Sequence, residues 1–166
     1  METKTAISVE EYLRTSYEYD PEYVDGELVE RSLPTIPHGR SLVMISSAFV
    51  RMQPQCHLFV ASDVRIPVKT RRWRVPDLVI FADEIPETRY PSTPPAAVIE
   101  IISSEDSLDH LLSKLDEYRD WGIAHAWLID PEHRCVFKHQ DGSLLQVDAI
   151  EFHDRGFRLP ASEIFV

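Results

Sequence analysis

The 166-residue chain has few of the residues on which several common protein classes depend. Its two cysteines, Cys56 and Cys135, stand in no metal-type spacing, so disulfide and zinc roles are not expected. Its five glycines form no nucleotide-binding loop, and no nucleophilic serine or cysteine motif is present. No apolar run approaches the roughly 18 residues that a membrane span requires. Covalent hydrolases, phosphotransferases and membrane proteins are therefore disfavoured.

Basic residues are also scarce. There are 17 lysines and arginines against 28 acidic residues, giving a net charge of -11 that tends to repel a polyanion. Because salt screens charges beyond about 8 Å, a local basic strip can still bind phosphate. One such strip, RIPVKTRRWR at residues 65–74, offers Arg71, Arg72 and Arg74 as candidate phosphate contacts. A solvated hairpin of charged residues is the alternative interpretation.

The length and the amino-terminal sequence predict one cytoplasmic domain. A chain of this size, 43% hydrophobic, can bury about two thirds of its unfolded surface in one core. No repeat, low-complexity tract or linker divides residues 1–166, so we expect a single domain. The opening METKTAISVEEYLRT is acidic and lacks the features of a secretory signal.

The apolar pattern predicts a mixed sheet flanked by helices. Asp25-Gly26 between apolar flanks indicates a hairpin, and residues 96–129 indicate a strand, helix, strand unit with parallel strands. Residues 58–68 and 75–81 are expected to form an antiparallel pair. The predicted helices are 8–14, 39–52 and 107–121, and the other predicted strands are 96–102, 125–129 and 135–139.

Two carboxylates stand where a carboxylate is costly. Asp77 lies within VPDLVIF and Glu100 within AAVIEII, and period-two alternation gives each of them apolar neighbours on its own strand face. A buried ionised carboxylate shifts its pKa or acquires a cation. A shared cation is one interpretation, and separate pairing with an arginine, a lysine or a helix terminus is the other.

The pair fits Mg²⁺ or Mn²⁺, which bind through one or two carboxylates and keep several waters. Zinc is disfavoured because the seven histidines show no zinc-type spacing. Lys114, at the edge of the apolar stripe of its predicted helix, is a candidate partner for the carboxylates. Alternatively, its ammonium group reaches water.

Four segments follow one another along the chain: YVDGELVERS, RVPDLVIF, AAVIEIISSEDS and KLDEYRDWGIAHAWLIDP. Together with His38, they resemble the Uma-type "putative restriction endonucleases", a bacterial family in the PD-(D/E)xK nuclease superfamily. Pro76-Asp77 matches the family's first signature element and Glu100 the second. The resemblance implies an α/β (α+β) restriction-endonuclease-like core, a mixed β-sheet flanked by helices. It further implies Mg²⁺-dependent cleavage of DNA, often by a homodimer.

The resemblance also assigns further site residues. The superfamily lysine two places after the glutamate is replaced here by Ile102, and the family pattern points instead to Lys114. It implies Glu27 as a fourth site residue, which would bind metal or position the lysine; a solvated hairpin carboxylate is the alternative. His110 stands where the family commonly has an aspartate.

The leading hypothesis is metal-dependent hydrolysis of DNA, with Asp77, Glu100 and the carbonyl of Ile101 as metal ligands. Lys114 would deprotonate the attacking water if burial lowers its pKa, and otherwise would stabilise charge. His38 would contact phosphate or cap the helix that follows it. The alternatives are a weak or inactive nuclease-fold module for nucleic-acid binding or assembly, and an enzyme acting on another phosphate ester such as RNA.

Overall fold

The computed structural model describes residues 6–166, which form a mixed α+β fold. Residues 1–5 lie outside this description. They include the start of the amino-terminal segment that predicts the absence of a secretory signal. None of the helices in the described part is long and apolar enough to cross a membrane. The helices are α1 (Val9–Arg14), α2 (Ile36–Cys56), α3 (Leu108–Trp121) and α4 (Ala161–Ile164).

The strands form three sheets within residues 6–166. The four-stranded sheet has the order β2 (Glu27–Val29), β1 (Glu22–Val24), β5 (Arg72–Arg74), β4 (Ile66–Lys69). The six-stranded sheet has the order β10 (Ser143–Val147), β9 (Cys135–Gln140), β8 (His125–Asp130), β7 (Ala97–Ile101), β6 (Leu78–Ala82), β3 (Leu58–Ser62). A separate hairpin joins β11 (Ala149–Phe152) to β12 (Phe157–Pro160).

The six-stranded sheet is mixed, as the sequence predicted. Strands β7 and β8 are parallel and are connected by α3, whereas the other pairs are antiparallel. Parallel neighbours need such a crossover because a tight turn can only reverse the chain. Helix α3 ends at Gly122, whose φ of 110° is the left-handed conformation that favours glycine.

Different helices cover the two faces of this sheet. On one face, Ile45 and Phe49 of α2 belong to the core that includes alternate side chains of β6 and β7. On the other face, Leu115 of α3 packs in a second core with Val79 and Val98. Burial on both faces explains why the sequences of β6 and β7 are nearly continuous apolar runs.

Two predictions needed correction. The pairing of residues 58–68 with 75–81 holds for β3 and β6 only, because the chain turns at Asp63, whose φ is 53°, and continues as β4 in the other sheet. Helix α2 is longer than the predicted 39–52: Thr35 caps it, and Pro37 is tolerated in its first turn, where no N–H is needed. The pattern after Gly142 led to no prediction, although two further strand pairings lie there.

Candidate active site

Asp77 and Glu100 meet at one end of the six-stranded sheet. Strands β6 and β7 pair Leu78 with Ile99, so extending the register by one residue sets Asp77 opposite Glu100. Directly opposite residues of antiparallel strands share a face and lie close together. The backbone N–H of Ile101 donates to Asp77 Oδ2 at 2.7 Å and fixes that carboxylate. Both carboxylates are buried and lie on the face that α3 covers.

Helix α3 brings Lys114 to this pair. Its Nζ lies 2.9 Å from Glu100 Oε1, and its side chain is only 7% exposed, so the alternative in which the ammonium reaches water is wrong. One turn later, the Tyr118 hydroxyl donates to the same carboxylate oxygen. The spacing of four residues places both side chains on one face of the helix, toward the sheet.

The hairpin carboxylate at the site is Glu22. Its Oε1 lies 2.8 Å from Lys114 Nζ, and its side chain is 2% exposed. Glu27, which the family pattern implied, is exposed on β2 opposite Val24, near the turn, and does not line the cavity. Glu22 lacks the signal that identified Asp77, because its strand has only three residues and Asp20 stands two places before it.

Two basic side chains, Arg31 and His38, also contact Asp77. Arg31 Nη2 donates to Oδ1 at 3.1 Å and also contacts Asp63, and His38 Nε2 lies 3.3 Å from Oδ2. Thr35, rather than His38, caps α2, because its hydroxyl accepts the His38 N–H. The other ring nitrogen, Nδ1 of His38, is buried and has no hydrogen-bond partner among residues 6–166.

The basic strip is partly internal. Arg74 is buried and pairs with Glu22 and Glu117 at 2.7 Å each, and Arg72 pairs with Glu117 and with a carboxylate of the Asp-Gly turn. Carboxylates therefore already occupy these two guanidinium groups, which corrects the prediction that they contact phosphate. Arg71 is exposed at the tip of the hairpin and donates to a backbone carbonyl.

The surroundings shift the two central carboxylates in opposite directions. Burial raises the pKa of Glu100, and the charges of Asp77 and Glu22 add to this against the opposing effect of Lys114. Burial would also raise the pKa of Asp77, but the hydrogen bond and charge of His38, the Ile101 N–H and a nearby guanidinium lower it below its ordinary value. Glu100 therefore holds a proton more readily than an ordinary glutamate, and Asp77 holds one less readily than an ordinary aspartate.

Lys114 does not have the properties of a base in this arrangement. Burial would lower its pKa, but Glu100 and Glu22 outweigh that effect and raise the pKa above its ordinary value. The sequence hypothesis of a lysine base required a lowered pKa, so the charge-stabilising alternative is the one that agrees with the structure.

The donor set suits a magnesium-type ion. A cavity of about 310 Å³ is lined by Asp77, Glu100, Ile101 and Lys114, among others. Within residues 6–166, no three histidine, cysteine, aspartate or glutamate side chains are grouped to bind a metal, as a zinc site would need. Two carboxylates and a backbone carbonyl beside an open cavity fit Mg²⁺ or Mn²⁺, which fill their other positions with water.

A mixed sheet with paired carboxylates at its strand ends and a lysine from the crossover helix is the arrangement of restriction-endonuclease-like nucleases. A crystal structure of a putative nuclease belonging to DUF820 from Anabaena variabilis ATCC 29413 shares this fold, with a TM-score of 0.82 over 96% of this chain and 97% of that one, at 20% identity. The model of the Uma2 family, described as "Putative restriction endonuclease", matches residues 9–165, and the chain belongs to this family. No curated protein matches the chain.

Proposed function

We propose that the protein is a metal-dependent endonuclease that hydrolyses phosphodiester bonds in DNA. The observation that carries the proposal is the convergence of Asp77, Glu100 and Lys114 at one open cavity. Membership of a nuclease family supports the reaction class, and the donor set supports the metal.

Asp77, Glu100 and the carbonyl of Ile101 would hold Mg²⁺ or Mn²⁺. The bound ion would supply a Lewis acid for the phosphate and lower the pKa of a coordinated water. The Ile101 N–H holds Asp77 in position, and the Tyr118 hydroxyl holds Glu100. Both carboxylates are therefore oriented before substrate arrives.

Lys114 would act through its positive charge. With its raised pKa it stays protonated at neutral pH, so its ammonium can orient water and stabilise negative charge that develops on the phosphate. Glu22 holds this ammonium group and is itself held by Arg74, so we assign Glu22, in place of Glu27, as the fourth member of the site.

His38 and Arg31 would face the phosphate on the Asp77 side. Burial lowers the pKa of His38, but its contact with Asp77 outweighs burial and raises the pKa above the ordinary 6.5, which favours the cationic form. Of the three arginines predicted to bind substrate, only the exposed Arg71 retains that role in the proposal.

The experiment is a cleavage assay on single-stranded, double-stranded and branched DNA with Mg²⁺, Mn²⁺ or chelator. The isosteric variants Asp77→Asn and Glu100→Gln should lose roughly 100-fold or more of the activity. Glu132→Gln, at an exposed carboxylate in the turn between β8 and β9 and outside the cavity, is the matched control and should cleave like wild type. Equal activity in all four proteins would overturn the assignment, and preferential cleavage of RNA would overturn DNA as the substrate.

A second candidate is a nuclease-fold module that binds nucleic acid without cutting it. The observation in its favour is that Arg31 and Lys114 already pair with the two central carboxylates, which leaves less net charge to attract a metal ion. Calorimetric titration with Mn²⁺ separates the two candidates: heat that disappears in Asp77→Asn supports the enzyme, and no heat in wild type supports the module.

A further inference from the structure

A second cleft adjoins the candidate active site. It has a volume of about 420 Å³ and shares Arg31, Ser32, His38 and Asp77 with the first cavity. Cavities that hold small organic groups typically measure about 300–1,000 Å³, so the cleft can hold one nucleoside-sized group. Because Asp77 lines both cavities, a strand whose phosphate lies at the carboxylates would place its neighbouring nucleoside at this cleft.

Exposed apolar side chains from two loops line the cleft. Tyr19, in the loop between α1 and β1, is 69% exposed, and Leu33, in the loop before α2, is 61% exposed. Single exposed apolar residues are common on protein surfaces, but here they are grouped, with Pro34, beside a cavity that contains charged groups. An aromatic ring beside cationic side chains is the combination with which proteins bind unpaired bases.

The polar part of the cleft suits a sugar-phosphate strand. Helix α2 begins here, and the positive end of its dipole favours an anion. His38, whose side chain is 9% exposed, lines the cleft with a buried Nδ1 that has no partner among the described residues, an independent sign of an unfilled hydrogen bond. Of the four acidic residues in the lining, Asp20, Asp63 and Asp77 are paired with arginines, and Glu18 is exposed to solvent.

We propose that this cleft binds an unpaired nucleobase of a DNA strand, stacked on Tyr19, next to the phosphate that lies at Asp77. The substrate is therefore single-stranded DNA or a locally unpaired site. In intact duplex the base is stacked and paired inside the helix, so it reaches the cleft only if it is extruded. This inference rests on the proposed nuclease function, because the strand bound at the cleft is the strand that the enzyme would cut.

The test measures binding by fluorescence anisotropy, with chelator present so that no strand is cut. The ligands are a short labelled thymidylate strand, a strand of the same length made of abasic residues, and a duplex. Tyr19→Ala should bind the thymidylate strand roughly 5- to 100-fold more weakly, the range expected for loss of one stacked base. Tyr19→Phe, which keeps the ring, and Leu145→Ala, which removes an exposed apolar side chain on β10, should bind like wild type.

The abasic strand distinguishes the stacking of a base on Tyr19 from the electrostatic attraction of the phosphates. It carries the same phosphates, so its affinity should be the same for wild type and Tyr19→Ala. An equal loss on both strands, or a loss no larger than that of Leu145→Ala, would overturn the base cleft. Tighter binding of duplex than of the thymidylate strand by wild type would also overturn it. If the binding results are as expected but no metal permits cleavage, the nuclease proposal fails while the base cleft stands.

Discussion

Replacing Lys114 with methionine removes the ammonium between two buried carboxylates and keeps the length of the side chain. Glu22 would still be paired with Arg74, but Glu100 would lose its cationic partner and keep the Tyr118 hydroxyl. Removing one partner of a buried ion pair costs about 3–5 kcal/mol because the remaining charge is uncompensated. We expect the free energy of unfolding to fall by that amount near neutral pH, equivalent to roughly 6–20 °C in Tm for a chain of this size.

The loss should depend on pH in a defined direction. Burial already raises the pKa of Glu100 in the native protein above the ordinary 4.5, and removing Lys114 raises it further, whereas the unfolded chain keeps the ordinary value. A carboxyl group with a raised native pKa contributes stability that is fully present below its unfolded pKa and is lost as pH rises through its native pKa. The deficit of the variant should therefore be largest at pH values well above the ordinary pKa of a glutamate and should shrink as pH falls toward that value.

Urea unfolding followed by tryptophan fluorescence at several pH values measures this deficit. Lys69→Met, at an exposed lysine of β4, is the matched control and should change the free energy of unfolding by no more than about 0.5 kcal/mol. Adding Glu100→Gln to Lys114→Met should recover much of the loss, because no unpaired charge then remains. A deficit below about 1 kcal/mol, or one that does not change with pH, would refute the ion-pair account.

Three further sets of variants test the partners of this cluster. In the cleavage assay, Glu22→Gln should lower kcat roughly 10- to 100-fold, as expected for a residue that positions a catalytic group. Glu27→Gln should stay within about twofold of wild type. Equal effects of the two variants would contradict the assignment of Glu22, in place of Glu27, to the site. Arg74→Met should lower the free energy of unfolding in urea by about 1.5–3 kcal/mol, because Glu22 and Glu117 each lose one charged hydrogen bond but keep Lys114 and Arg72 respectively. The exposed Arg71→Met should change it by less than about 0.5 kcal/mol. NMR titration should give His38 a pKa above the ordinary 6.5 of a histidine. Its ion pair with the aspartate should therefore stabilise the protein fully below pH 6.5, and this stabilisation should be lost as pH rises through the raised pKa of the native state. Replacing its aspartate partner with asparagine should lower that pKa, and an unchanged titration would contradict the contact.

The elements of the fold were largely predictable because local signals define them. Leu111 and Leu115 recur at helical spacing and Gly122 ends the helix, so α3 was predicted nearly to its ends. The apolar run of β7 indicated burial on both faces, which the structure confirms. Which sheet a strand joins was not predictable, because the turn at Asp63 that sends β4 away from β3 has no distinctive local signal.

The part of the site that could be predicted from the sequence is the part where a charged residue stands in an apolar strand. The cost of burying a carboxylate singled out Asp77 and Glu100, and their apolar neighbours are indeed in the core. The same argument did not identify Arg74 as an internal residue, because a cluster of arginines also suits an exposed strip. Its burial depends on Glu22 and Glu117, which are 52 and 43 residues away in the chain.

By itself, the sequence determined the helices α1 to α3, the central strands, the parallel crossover and the two carboxylates, because periodicity, turn residues and the cost of buried charge act over short stretches. Only the tertiary structure decided the partners. The pairing of β1 with β5 brings Glu22 and Arg74 together, and α3 places Lys114 over the strand ends. These contacts keep the lysine charged and bury Arg74 of the basic strip, since a pKa and an ion pair depend on which groups meet in space.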